Sequence, residues 1–237
     1  MKTKIYWAQA SNDNKNDWNI LYKTPTLLFS DLQKKRSPTI NKSKNLFLCP
    51  AVRNLTSRIA VLKCPLTSHY MVENNSIKPI SQNHLKVTVQ HEPNLENSIL
   101  FVLSTSYIFF CEEDVEMTLT APFFSKSPHL QYGAIVPGTF NISKWFRSIN
   151  IEVNLWENVN EFKIKEGEAM AYLTFDTPHE IEFVRFDYTE RLQRVSETCG
   201  SASLWEKLVP LLKRYNRFKD GQLKQVVLKE IKNNIID

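Results

Sequence analysis

The chain has 237 residues, of which 42% are apolar and 23% charged, the balance of a globular protein with room for one large domain or two small ones. Its five glycines exclude a glycine-rich phosphate loop and argue against many tight primed hairpins. A formal net charge of +5 is too small to imply nucleic acid by itself.

Residues 4–9 alternate as a first strand, and 11–17 form a polar loop. Residues 25–36 have helical spacing through Leu28 and Leu32, with Pro25 suited to the first turn, and end in the basic Lys34, Lys35 and Arg36. Two β-type runs, 46–50 and 60–65, each stop at Cys-Pro, because proline cannot donate to a ladder. A helical turn over 51–57 fits between them.

From residue 69 the pattern is mostly β. A short strand covers 69–73. Leu85, Val87 and Val89 then alternate with polar neighbours. Residues 99–103 and 107–111 are apolar on both faces and read as two central strands covered on each side. The acidic run Glu112, Glu113, Asp114 and Glu116 joins them to a half-buried strand over 115–121. Residues 149–155 carry the clearest period of two: Ile149, Ile151, Val153 and Leu155 on one face, Asn150, Glu152 and Asn154 on the other. Residues 162–165 and 169–175 flank Glu166 and Gly167, which predicts a hairpin with Gly167 in the left-handed conformation. Over 181–188 the apolar phase switches, which predicts a bulge near Phe183.

The C-terminal end reads as a pair of helices. Ser203 and Glu206 form a capping box, and Trp205, Leu208, Leu212 and Tyr215 share a face that Pro210 interrupts. Leu223, Val226, Val227 and Ile231 form a second apolar face. The chain's whole charge excess lies over 204–232, where Lys207, Lys213, Arg214, Arg217, Lys219, Lys224, Lys229 and Lys232 face only Glu206, Asp220 and Glu230. Such residues read first as the wet face of helices packed on a sheet.

No catalytic signature is present: no P-loop, Rossmann fingerprint, GxSxG or kinase set. His69, His84, His91, His129 and His179 form no HExxH, and Cys49, Cys64, Cys111 and Cys199 form no CxxC. The opening MKTKIYWAQ lacks an apolar signal core, and no apolar run is long enough for a membrane helix. The expectation is a cytoplasmic chain with reduced thiols, no metal and no cofactor. Trp145, Phe146 and Arg147, with Trp156 at the end of the same strand, are the candidate binding residues. A second polar cluster gathers Asp176, His179, Glu180 and Glu182 around Pro178.

The segment IKEGEAMAYLTF resembles a strand pattern of dUTPase-like proteins, but that family's uridine-pocket and glycine-rich arm motifs are missing. Over residues 46–191, the order of a Cys-Pro segment, Pro137-Gly138, Trp145 to Arg147, Trp156 and I-K-x-G-E-x-x-A-Y-L is similar to a group of uncharacterised proteins of tailed phages and bacteria. That resemblance implies a host-cytoplasmic or virion-associated protein and carries no activity with it.

The expected fold is α+β, with a mainly antiparallel β-sandwich or jelly-roll-like core over 46–190. An N-terminal strand and helix segment (1–45) and C-terminal helices (191–237) pack on it. The favoured function is binding or assembly, with a protein partner or self-association ahead of nucleic acid, and with a small-molecule ligand compatible. The alternative is a cupin-like metal-dependent enzyme, for which the histidines would have to converge with Glu112, Asp114 and Asp176.

Overall fold

A computed structural model describes residues 1–10, 21–34, 49–73, 76–92, 98–200 and 211–236. Its organising element is β7 (Ser98–Cys111), a 14-residue strand. One side of β7 pairs with β11 (Ser148–Leu155), which carries β9 (Gly133–Ile135) beyond it. The other side is shared end to end by β6 (Val87–Glu92) and β1 (Lys2–Gln9). β14 (Glu180–Arg185) completes this six-stranded sheet by lying parallel to β1.

The two strands expected over 99–103 and 107–111 are therefore one strand with a bulge between its halves. Ser106 sits at φ 55°. Across it, Asn150 faces Ser104 while Ser148 faces Ile108, so β7 spends two more residues than β11. An insertion of two keeps side-chain parity, and Leu103, Tyr107 and Phe109 all reach the same core. The Thr105 hydroxyl fixes the bulge by donating to the Ile149 carbonyl at 2.7 Å and accepting the Tyr107 N–H at 3.2 Å.

A second sheet runs in the order β10 (Gly138–Asn141), β8 (Glu116–Thr120), β13 (Ala169–Phe175), β3 (Ile59–Lys63), β2 (Thr26–Leu27). A third holds β12 (Glu161–Ile164), β4 (Ser68–Glu73) and β5 (Ser76–Pro79). Gly167 has the left-handed φ expected of it, +77°. The hairpin expected around it does not form: β12 pairs with β4, and β13 pairs with β3 and β8. The turn instead carries the chain from the third sheet into the second.

Its partner segment makes the same crossing at Cys64 and Pro65. Ile164 faces Ser68 before the corner and Ala169 faces Lys63 after it. Five residue steps separate those positions on each segment, so the pairing turns the corner in register. The Gly167 N–H donates to the Cys64 carbonyl at 2.8 Å, and the Cys64 N–H donates to the Glu168 carbonyl at 2.8 Å. Two strands bent together over a corner are how one ribbon contributes to two layers of a sandwich.

All three sheets line one core, which holds Trp7, Phe101 and Phe109 from the first, Met117, Leu173 and Phe175 from the second, and Tyr70, Phe162 and Ile164 from the third. On the β1 side of Ser106 the first sheet is apolar on its other face as well. Tyr6, Ala8, Ile108, Phe110 and Phe186 pack there against α3 (Glu190–Gly200), α4 (Leu211–Asp220) and α5 (Leu223–Asn233). Double coverage explains the continuous apolar run in β7. It also corrects the expected bulge near Phe183. β14 pairs with β1 without a slip, its Ile181 and Phe183 facing the sandwich and its Val184, with Phe186 just beyond the strand, the helices.

The fold is thus α+β, a mainly antiparallel β-sandwich capped by C-terminal helices. The helical part holds α3 in addition to the expected pair. Thr189 starts α3, its hydroxyl accepting the Leu192 N–H at 3.3 Å. The capping box at Ser203 and the break at Pro210 lie outside the described residues. α1 (Leu28–Lys34) starts three residues after the Pro25 start expected, because Thr26 and Leu27 pair with β3 first; the expected end at 35–36 lies outside the described residues. Leu28 and Leu32 cover the outer face of the second sheet at Ile59, Val61 and Tyr172. Cys49-Pro50 opens α2 (Pro50–Thr56), with proline in the first turn where its missing N–H costs nothing. Among the described residues no helix is long and apolar enough to cross a membrane.

Candidate functional site

The four residues singled out in the sequence sit at opposite ends of β11. At its start, Trp145 is 4% exposed and stacks on Tyr215 of α4, with ring centroids 3.7 Å apart. Phe146 is fully buried, edge-on to Phe110. Both are anchors between sheet and helices and present no surface. Arg147 is partly exposed, its guanidinium over the Trp145 ring at 5.5 Å. Trp156 follows the far end of the eight-residue strand, about 25 Å away at ~3.3 Å per residue, and is half exposed.

Arg147 borders a cleft of about 390 Å³. The cleft arises where the helical cap stops. On the β1 side of the Ser106 bulge the outer face of the first sheet is apolar and covered. On the β6 side it turns polar. Lys86, Ser104 and Asn150 form a row across it, set by the Ser104 N–H to Lys86 carbonyl bond of 2.9 Å and the Ser104–Asn150 pairing. Thr88 and Ser148 flank that row, and Val102 is the apolar floor. The facing wall is α3 with Gln193, Ser196 and Glu197, together with Tyr188.

The electrostatics of the cleft are lopsided. Glu197 accepts from Gln193 Nε2 at 2.9 Å. Neither Lys86 nor Arg147 has an ion-pair partner among the described residues. Burial pushes the Tyr188 hydroxyl up to about 12, against a hydrogen bond with Ser196, so it stays a neutral donor and acceptor. Sequence reasoning reached Arg147 through its aromatic neighbours. It missed Lys86, Ser104 and Tyr188, although the wet alternation of β6 and β11 already placed Lys86 and Asn150 on polar faces.

The carboxylates of the acidic turn are engaged structurally, and the Asp176 segment is held through its backbone and Thr177. In the acidic turn Lys144 binds Asp114 at 2.7 Å, Lys232 binds Glu112 at 2.7 Å, and the Thr3 hydroxyl donates to Glu113 at 2.9 Å. The Lys144 and Asn141 contacts hold the exposed Asp114 carboxyl below the usual carboxylate range. In the Asp176 cluster, the Asp176 N–H donates to the Glu116 carbonyl and the buried Thr177 hydroxyl bonds that of Thr3.

His69 Nε2 lies 3.0 Å from Glu161, and His84 Nδ1 lies 3.1 Å from the Ser81 carbonyl. His129 is buried, with Nδ1 3.9 Å from Glu168. Each histidine with a carboxylate thus has a different one. Among the described residues no group of three or more His, Cys, Asp or Glu could hold a metal. Burial raises the Cys64 thiol to about 12 and the Cys111 thiol to about 11, and raises Cys199 as well, which leaves them poor nucleophiles.

No protein-family model and no curated protein matches this chain. Solved structures similar to it include a mutant dUTPase from phage phi11 of S. aureus, at TM-score 0.33 and 10% identity, covering 74% of this chain and 93% of that one. Another is a mutant dUTPase of Staphylococcus bacteriophage 80alpha, at TM-score 0.33 and 10% identity, covering 78% and 96%. At those TM-scores the likeness carries no argument about fold or function.

Proposed function

We propose that this chain is a binding protein that takes its partner in the cleft between the β6–β7–β11 face and α3. The observation that carries the reading is the change of chemistry across Ser106. One half of a single sheet face is apolar and packed against helices; the other carries the polar residues Lys86, Ser104 and Asn150 above a buried Val102 and opens into the cleft, with the Arg147 guanidinium over Trp145 at the boundary. A catalytic reading has no comparable support among the described residues, where no metal-binding group of His, Cys, Asp or Glu occurs and burial raises the thiols of Cys64, Cys111 and Cys199.

Thermal shift against polar small molecules and purified partners tests it, comparing the wild type with Asn150→Trp, which fills the cleft without changing charge. A ligand at a hundred times its dissociation constant adds about 2.7 kcal/mol, a shift of several degrees for a chain of this size. The shift should vanish in Asn150→Trp. A partner that binds that variant as well as the wild type removes the cleft reading.

Self-association is a second form of the binding reading. Trp156 favours it, being half exposed close to the edge strand β9: its N–H donates to the Tyr132 carbonyl at 3.0 Å, one residue before that strand. Light scattering that finds the same monomeric mass with Trp156 and with Trp156→Lys ends it.

A further inference from the structure

We infer that the cleft takes a small oxyanion, a phosphate or carboxylate group, held between Arg147 and Lys86. This inference rests on the cleft reading and names its ligand. Three observations converge on it. The two cations border one concavity from opposite sides and neither is neutralised by a described residue. Glu197, the carboxylate on the cleft wall, accepts from Gln193 and keeps its charge, so the lining holds two cations against one anion. Between the cations stand neutral hydroxyl and amide groups, those of Ser104, Ser148, Thr88 and Asn150, which can donate to an anion without adding charge.

Arg147 is not a free surface arginine. Its guanidinium lies over Trp145, whose ring is clamped by Tyr215 from α4. A guanidinium held by stacking keeps its planar fork of N–H donors and loses less entropy on meeting a bidentate oxyanion. Lys86 is exposed, so it supplies charge rather than geometry. Arg147 lies two strands across from Lys86 and three residues along from Asn150, which at ~4.8 Å per strand and ~3.3 Å per residue puts the two backbones about 14 Å apart, a gap that two long side chains can span with an anion between their tips. A volume near 390 Å³ lies in the small-ligand range and leaves room for the body of a ligand beyond its anionic head.

The test is titration of the full chain with inorganic phosphate and, separately, with succinate, followed by the amide shifts of Ser104, Ser148 and Asn150 at low salt. Saturable binding with a dissociation constant of about 1 mM or tighter is expected for at least one of them, and the stronger arm identifies the anion. Arg147→Gln should weaken it about tenfold or more, and so should Lys86→Gln. Lys86 is exposed and its truncation does not touch the core, so that variant stays informative if Arg147→Gln disturbs the stack.

Absence of saturable shifts with both anions overturns the inference, as does binding indifferent to both substitutions. An acidic peptide that binds where neither small anion does overturns it too. A neutral ligand lost in Asn150→Trp, with no anion binding, sinks the oxyanion and leaves the cleft standing.

Discussion

Trp145 and Tyr215 stack with their ring centroids 3.7 Å apart and 13° between their planes. The pair joins the segment before β11 to α4, two parts of the chain far apart in sequence. It closes the apolar half of the outer sheet face, and the same Trp145 ring carries Arg147 on the cleft side. One contact therefore anchors the helical cap and orients the cleft's cation.

Truncation should reveal that coupling. Trp145→Ala should cost about 3–5 kcal/mol. Tyr215→Ala should cost about 2 kcal/mol, being only partly buried. Urea denaturation of both singles and the double variant should give an interaction of about 1 kcal/mol beyond burial. Additivity within about 0.3 kcal/mol would mean that the rings touch without supporting each other.

The corner at Gly167 separates two reasons for needing glycine. A Cβ on Gly167 would meet nothing within 4 Å, so its φ of +77° is the whole obstacle. Gly167→Ala should cost about 1–2 kcal/mol, the left-handed penalty of a side chain. At Gly133 the added Cβ would stand 2.4 Å from the Asn154 carbonyl oxygen, a clash with the backbone of β11. Gly133→Ala should cost more than Gly167→Ala in the same denaturation experiment, because β9 must move away from its partner strand. Equal costs would refute the steric distinction.

His129 should make the fold sensitive to acid. An unfolded imidazole takes its proton near pH 6.5. In the fold, burial pulls that value down, opposed by Glu168, while the Met170 backbone lies close without a hydrogen bond of good geometry to the ring. Below about pH 6.5 the unfolded chain then binds more protons than the native one. Stability from this group is intact above that pH and is lost as pH falls towards the folded value, by at most about 1.4 kcal/mol per pH unit. Phe162 borders the ring at 6.3 Å, so His129→Phe keeps an aromatic in place and removes the titration. Its denaturation midpoint should change less between pH 7 and pH 5 than the wild type's. An identical pH profile would assign the acid sensitivity elsewhere.

Burial periodicity made the sandwich legible, because it is a local property of the chain. Ile149, Ile151 and Val153 alternate and face one core, and the apolar run Tyr107–Cys111 of β7 is central, with Tyr107, Phe109 and Cys111 in the sandwich and Ile108 and Phe110 under the helices. Pairing was not legible, since it depends on distant partners. Glu166-Gly167 has the chemistry of a hairpin turn, yet β13 has the better partner in β3, with which it turns the corner. At Phe183 a change of apolar phase mimicked a bulge, because a strand covered on both faces shows no single phase. The cleft was hidden for the same reason. Lys86 and Arg147 are distant in sequence, and only the shared neighbour β7 brings their strands to one face.

Ser106 gives the most direct test of how the cleft is built. Its backbone holds φ 55°, a conformation that asparagine and glycine tolerate and β-branched residues resist. The Ser106 carbonyl accepts the Ala10 N–H at 2.7 Å, tying the end of β1 to the point where β7 changes partner. Its side chain meets the buried Tyr22 hydroxyl. Ser106→Gly and Ser106→Val both lose that hydroxyl contact, so the difference between them isolates the backbone. Valine should be less stable than glycine by about 2 kcal/mol. Hydrogen exchange at Ala10 should stay slow in Ser106→Gly and quicken in Ser106→Val, as the bulge opens and the polar half of the sheet loses its register against the capped half. If valine is as stable as glycine and Ala10 remains protected in both, the left-handed residue is not what divides the capped face from the open one.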